Sequence, residues 1–245
     1  MSHPPITLKP YGNHSVLMEW PNEVSETILE SILDFEHYLK EYCIKDPEWE
    51  TVSAYNSLLL VNPTKEMDFQ DFGPKIKDWY ARLKEAPKRE KVLWKLPVSY
   101  DLSFGIDLEE VAKRLGKSTD EIIELHTSNT YTVYGIGFLP GFMYLGGVPK
   151  ELEIPRKAVP RLKVEKGSVG IAGQQTGIYP QESPGGWNII GNCPVSLFDP
   201  NKENPCFVSV GDKIQFEKVS QGEHELHKIE AEVGIYKPEK VVLNA

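Results

Sequence analysis

Arg156 and Arg161 lie in Pro155-Arg-Lys-Ala-Val-Pro-Arg161, each beside a proline that restricts the backbone. A guanidinium is a planar fork that holds two oxygens of a carboxylate or phosphate at once, so this stretch offers an anion contact. Aromatic and amide residues of the kind that line ligand pockets surround it in the chain. Phe138, Phe142 and Tyr144 come before it; Gln174, Gln175, Tyr179, Trp187 and Asn188 come after. Gly185 and Gly186 would let Trp187 and Asn188 approach neighbouring backbone closely. Phe142, Tyr144, Arg156, Arg161, Gln175, Tyr179 and Trp187 are expected to converge on one concave surface for a substrate or partner. The sequence marks no catalytic residue outright; Arg156, Arg161 and Gln175 are the groups best suited to stabilising developing charge.

Other chemical signals fail. Gly116-Lys117-Ser118-Thr119 looks like the end of a phosphate-binding loop, but the glycine needed five positions earlier is Val111. His224 and His227 sit in a polar tail and read as a solvated face. His126 closes a helix, where a charged imidazole would be stabilised by the helix dipole. Ser168 and Ser183 lack the spacing of a nucleophile elbow and any identifiable base. Cys43, Cys193 and Cys206 are odd in number and far apart, which argues against a disulfide framework and a cysteine zinc site. No metal site or prosthetic group is expected.

Charge is unevenly distributed. The 245 residues carry 27 Lys plus Arg against 36 Asp plus Glu, a net charge of −9 that argues against nucleic-acid binding. Residues 125–149 hold no charged side chain and residues 167–198 hold only Glu182, where a 26% average would place roughly fifteen. The link between these arms carries nine charges, six of them basic. Buried strands and tight turns would explain the aliphatic positions Ile171, Ile189 and Leu197. The amides, aromatics and twelve glycines of the arms favour a pocket. No apolar run is long enough to span a bilayer and no signal peptide is evident, so a cytoplasmic protein without membrane association is expected.

The elements that must hold these residues fall into two groups. Ile6 to Lys9, Ser15 to Trp20 and Thr51 to Asn62 read as strands. One amphipathic helix is expected behind an Asn22 cap, with Val24, Ile28, Ile32, Phe35, Leu39 and Tyr42 as its stripe, and a second around Gly73-Pro74. They make an α+β two-layer sandwich over residues 1–88, bounded by the charged segment 84–91. Residues 89–245 open with an extended Val92 to Tyr100. A helix over Leu108 to Leu115 follows, and then one capped by Ser118 and Glu121. Short strands at Val169 to Ala172, Trp187 to Ile190, Val195 to Phe198 and Ile214 to Phe216 suggest a closed or nearly closed barrel.

Several motifs resemble those of the 5-oxoprolinase B-subunit family, also called allophanate hydrolase subunit 1, which includes a bacterial inhibitor of a sporulation sensor kinase. The likeness is carried by His126-x₄-Tyr131, Gly137-Phe-Leu-Pro-Gly-Phe-Met-Tyr-Leu-Gly-Gly147, Pro155-Arg156, Pro160-Arg161, Gly167-Ser-Val-Gly-Ile-Ala-Gly173, Gln175-Thr-Gly-Ile-Tyr-Pro180 and Ser183-Pro-Gly-Gly-Trp187. Tyr11-Gly-Asn-His-Ser-Val-Leu-Met-Glu19 and Ala54-Tyr-Asn-Ser-Leu-Leu59 resemble its N-terminal signature more loosely. The resemblance implies a mainly-β cyclophilin-like barrel after the sandwich. It also implies two partners, the 5-oxoprolinase subunits C and A, the first of them in a tight heteromer with this chain. Together the three would open 5-oxoproline to glutamate with ATP as co-substrate. This chain departs from the family at Asn13, Met143, Gln174 and Asn192-Cys193.

Two functions follow from the resemblance. In one, the chain is a subunit of an ATP-dependent 5-oxoprolinase and is inert alone. In the other, it is a regulatory protein whose aromatic surface grips a histidine kinase. A prolyl isomerase is disfavoured, because the likeness carries no isomerase residues.

Overall fold

The computed structural model describes residues 3–83 and 89–243, and its packing divides between Glu90 and Lys91 into two units. The boundary expected at 88/89 borders residues 84–88, which lie outside the described residues.

The first unit contains β1 (Thr7–Pro10), β2 (Ser15–Glu19), α1 (Glu26–Tyr38), β3 (Glu50–Ala54), β4 (Ser57–Val61) and α2 (Phe69–Arg82). The strands form one antiparallel sheet in the order β1-β2-β4-β3. Period-two alternation sends Val16, Met18, Leu58 and Leu60 to one face, where they meet Ile28, Ile32 and Phe35 of α1 and Ile76 and Tyr80 of α2. A two-layer sandwich results. Its details correct three expectations. Ser25 rather than Asn22 precedes α1, because a Glu23 N–H to Pro21 O bond turns the chain before the helix begins. The expected Thr51–Asn62 strand is a hairpin, turned at Tyr55 with φ of 46°. Asp68 accepts the Gln70 N–H at 2.8 Å, which starts α2 ahead of Gly73 and leaves Pro74 inside it.

The second unit runs β5 (Lys91–Val98), α3 (Leu108–Leu115), α4 (Thr119–Thr127), β6 (Thr130–Ile136), β7 (Met143–Gly146), β8 (Arg161–Val164), β9 (Ser168–Ala172), β10 (Gln175–Ile178), β11 (Ser183–Gly185), β12 (Asn188–Asn192), β13 (Lys213–Lys218), α5 (Gln221–Glu232) and β14 (Glu239–Leu243). The two central helices match expectation: Gly116, at φ of 66°, ends α3, and a Ser118–Glu121 capping box starts α4. Eight strands form one sheet in the order β12-β9-β10-β7-β6-β13-β5-β14, and β11 pairs with β8 apart from it. The expected closed barrel is absent. β14 pairs with β5 from Lys91 to Lys95, so the other end strand, β12, reaches that side only through one bridge. There the Ser99 and Asn192 backbones exchange two hydrogen bonds of 2.9 Å. Val195 to Phe198 is irregular rather than a strand; it follows Pro194, which has no N–H for a ladder. Neither α5 nor β14 was expected from the polar tail. Among the described residues no helix is long and apolar enough to cross a membrane.

The core of this unit corrects the reading of His126. Its ring is wholly buried and stacks on Phe216 at 4.5 Å. The Thr176 hydroxyl donates to Gly170 O at 2.9 Å, so it accepts from His126 Nε2–H at 2.9 Å, and Nδ1 accepts from the Tyr100 hydroxyl at 2.6 Å. Burial depresses its pKa from 6.5 to about 3. The imidazole is therefore neutral, not a cation on a helix dipole. An unfolded histidine gains a proton near pH 6.5 while the folded one stays neutral until about pH 3. Stability therefore falls across that window, by up to about 1.4 kcal/mol per pH unit. Urea unfolding at pH 7 and pH 5 is expected to show this loss in the wild type and a smaller one in His126→Gln.

Candidate functional site

Strands β7, β9, β10 and β12 are buried on both faces. Leu145, Val169, Ile171, Ile178 and Ile190 point into the main core. On the opposite face Ala172 and Ile189 pack with Phe142, Val164, Tyr179 and Trp187. Strands covered on both sides need no polar face, and this accounts for much of the missing charge in residues 125–149 and 167–198. The rings meet edge to face: Phe142 lies 5.5 Å from Trp187, 5.4 Å from Tyr179 and 4.9 Å from Tyr144. Phe142 and Tyr179 are 2% exposed and Trp187 4%, so these are packed side chains rather than open pocket walls. The glycines serve the same packing. A Cβ on Gly185 would fall on the Tyr179 hydroxyl, and one on Gly170 or Gly177 would press on Trp187.

Over this layer runs the segment 155–161, held from both sides. Asn188 Nδ2 donates to Pro155 O at 3.0 Å, and Lys157 N–H to Gly186 O at 2.8 Å. Asp107, at the N-terminus of α3, supplies the anchor. Its carboxylate is 2% exposed and takes both guanidinium arms of Arg161 (2.8 and 2.5 Å), Lys157 Nζ (2.8 Å) and the Ile189 N–H (2.7 Å). Burial pushes the Asp107 pKa up, but Arg161, Lys157 and the Ile189 N–H outweigh it and hold the carboxyl below its usual range. Lys157, also bound to Glu110, is raised by its Asp107 and Glu110 bonds. Asp107 is the residue that sequence reasoning missed. Its position before a helix reads as an N-cap, yet it makes no capping bond and reaches across to the arm instead.

The expected site residues are therefore only partly brought together. Arg156 and Trp187 do meet: Arg156 Cζ lies 5.8 Å from the centre of the indole. Arg161 is not an open anion contact, because Asp107 occupies its fork. Gln175 is half-buried and shares the Gly177 face of β10, on the aromatic side. Gln174 is exposed and donates to Glu153 at 3.1 Å. Asn188 is wholly buried; its Nδ2 also binds Ile171 O at 3.1 Å, and its Oδ1 has no partner among the described residues. Phe138 is 65% exposed with φ of 69°, a conformation that bulky side chains rarely adopt, and its ring touches Phe142 at 5.8 Å. Val159 and Leu162, on or just past the arm, are 80% and 92% exposed.

The remaining signals are structural. His224 is buried rather than solvated, with Nε2 2.9 Å from Asn192 Oδ1, while Asn192 Nδ2 donates to Lys166 O. Asn192 thus ties α5 to the chain around Lys166. Burial drives the Cys193 thiol up to about 12, which keeps it protonated and unreactive. Among the described residues no three His, Cys, Asp or Glu side chains are grouped to hold a metal ion.

Burial fixes the outcome for Trp187→Ala. Thermal unfolding is expected to show a loss of about 3–5 kcal/mol, as for other buried large-to-small changes. An unchanged melting temperature would contradict the packing described.

The family described as "Carboxyltransferase domain, subdomain C and D" matches residues 6–208. A Bacillus subtilis protein named as the B subunit of 5-oxoprolinase is 33% identical over 231 residues, covering 90% of this chain and 95% of that one. The crystal structure of a conserved uncharacterized protein from Pyrococcus horikoshii aligns with a TM-score of 0.53 and 38% identity, covering 89% of this chain and all of that one. The Kluyveromyces lactis urea amidolyase structure aligns with a TM-score of 0.79 over 98% of this chain and 16% of that one; at 16% identity it speaks to the fold alone. Other matched solved chains are longer, this chain spanning 39–40% of each.

Proposed function

We infer a function from one premise: the chain belongs to the 5-oxoprolinase B-subunit family. On that premise it is part of an ATP-dependent 5-oxoprolinase, a hydrolase that opens 5-oxo-L-proline to L-glutamate as ATP goes to ADP and phosphate. It works with subunits C and A, in the cytoplasm. The second unit is read as a cyclophilin-like domain in which the sheet stays open and β12 meets the β5 side at the Ser99–Asn192 bridge.

The observation that carries the need for partners is the exposed apolar set around the arm. Phe138, Val159 and Leu162 expose most of their surface, and Phe138 does so in a strained backbone conformation. Such exposure on one stretch of the chain supports a partner surface over Val159 and Leu162. Chemistry points the same way. A five-membered lactam is a poor electrophile, and phosphorylation of its oxygen would supply a leaving group. The residues here do not fit a triphosphate. In Gly116-Lys117-Ser118 the glycine ends α3, the Lys117 N–H binds Ala112 O, and the Ser118 hydroxyl caps α4. ATP is therefore assigned to another member of the complex, and this chain to holding the lactam.

The test is reconstitution. Purified with subunits A and C, the chain is expected to release glutamate from 5-oxoproline only when ATP is present; alone it is expected to do nothing. A complex that forms without ATP-dependent glutamate release would contradict the reading, as would full activity without this chain.

A further inference from the structure

The three cations of the 155–161 arm have different environments. Lys157 and Arg161 are bound by Asp107, and Lys157 by Glu110 as well. Arg156 is exposed, and among the described residues its guanidinium has no hydrogen bond or ion pair; it lies over the Trp187 ring, with the Tyr179 hydroxyl within reach of its charge. Two nearby acidic groups are engaged elsewhere: Glu153 accepts from Gln174, and Glu182 pairs with Lys163 at 2.8 Å. A cation stacked on an aromatic face keeps its N–H edge free for a planar two-oxygen acceptor. The backbone that carries it is fixed on both sides, by Asn188 at Pro155 and by Gly186 at Lys157, whose ammonium Asp107 also holds.

We propose that Arg156, seated on Trp187, is the receptor for the single carboxylate of a small, flat amide substrate. The inference rests on the 5-oxoprolinase reading for the identity of the substrate, 5-oxo-L-proline, but not for the existence of the site. One unpaired guanidinium matches one negative charge. A triphosphate needs several backbone N–H groups and cations, which this face does not offer. Tyr144 and Phe138, in ring contact with Phe142 beside Trp187, provide an apolar flank for the body of such a ligand. Asp107 is a positioning residue: it touches no ligand and holds the arm.

Ligand-observed NMR on the full-length chain tests the site directly. 5-Oxo-L-proline is expected to bind about tenfold more tightly than 2-pyrrolidinone, the same ring without the carboxylate. Arg156→Gln should erase that difference, and Arg156→Lys most of it. Equal binding of the two probes, unchanged binding in Arg156→Gln, or displacement by inorganic phosphate would overturn the proposal. Benzoate separates the site from the 5-oxoprolinase reading. Benzoate binding that Arg156→Gln removes, together with a reconstituted complex that does not hydrolyse 5-oxoproline, supports the site and sinks the reading. In an active complex, Arg156→Lys is expected to raise KM for 5-oxoproline about tenfold with kcat and KM for ATP unchanged. A wild-type KM in that variant sinks the site and leaves the reading intact.

Discussion

A single buried carboxylate, Asp107, organises the face on which the functional account rests. It joins three separate parts of the second unit: the start of α3, the Ile189 N–H of β12 and the arm that carries Arg156. Burying a charge is costly unless it is paired and hydrogen-bonded, and Asp107 satisfies both conditions at once. With two cations and a backbone donor around it, the carboxylate stays ionised, and Arg161 and Lys157 cannot serve an external anion. The latch thereby decides which cation remains for a ligand. Removing it would strip Arg161 of its partner, leave Lys157 with Glu110 alone and loosen the arm, so Asp107 bears on charge and geometry together.

Beneath the latch the aromatic layer provides a rigid seat. Trp187 rests on Gly170 and Gly177, Tyr179 fills the space that Gly185 leaves, and the Trp187 backbone N–H donates to the Tyr179 hydroxyl. A cation–π contact of this kind at an exposed site is worth only about 0.5–1 kcal/mol. It cannot order the arm alone, but it can orient a guanidinium on an arm that other bonds already fix. Stability and recognition are thus separated by layer: rings and glycines hold the fold, and the exposed guanidinium is left for the proposed ligand.

Much of this was legible in the residues. The α3–Gly116–Ser118–α4 junction follows from capping chemistry that is local, and the sandwich follows from apolar periods of two and about four. The pairing of Arg156 with Trp187 was suggested by two aromatic arms flanking a basic link. What could not be read is non-local. Asp107 pairs with residues about fifty positions away, and its sequence context is that of a helix cap. The glycines of the uncharged arms suggested ligand approach, whereas they admit rings from neighbouring strands. A closed barrel was expected because strand count does not reveal that β14 occupies most of the edge of β5. The burial of His126 and His224 is likewise a property of the fold and not of the neighbouring residues in the chain.

The central claim is that Asp107 holds Arg156 over Trp187, and the most direct measurement of it is the ring-current shift of the Arg156 side-chain protons. In the wild type these resonances should lie upfield of their free-arginine positions, as expected for groups stacked on an indole. In Asp107→Asn, with the fold verified by the remaining methyl spectrum, they should return toward free-arginine values. Persistence of the upfield shift in that variant would show that the latch does not position the arginine and would contradict the account.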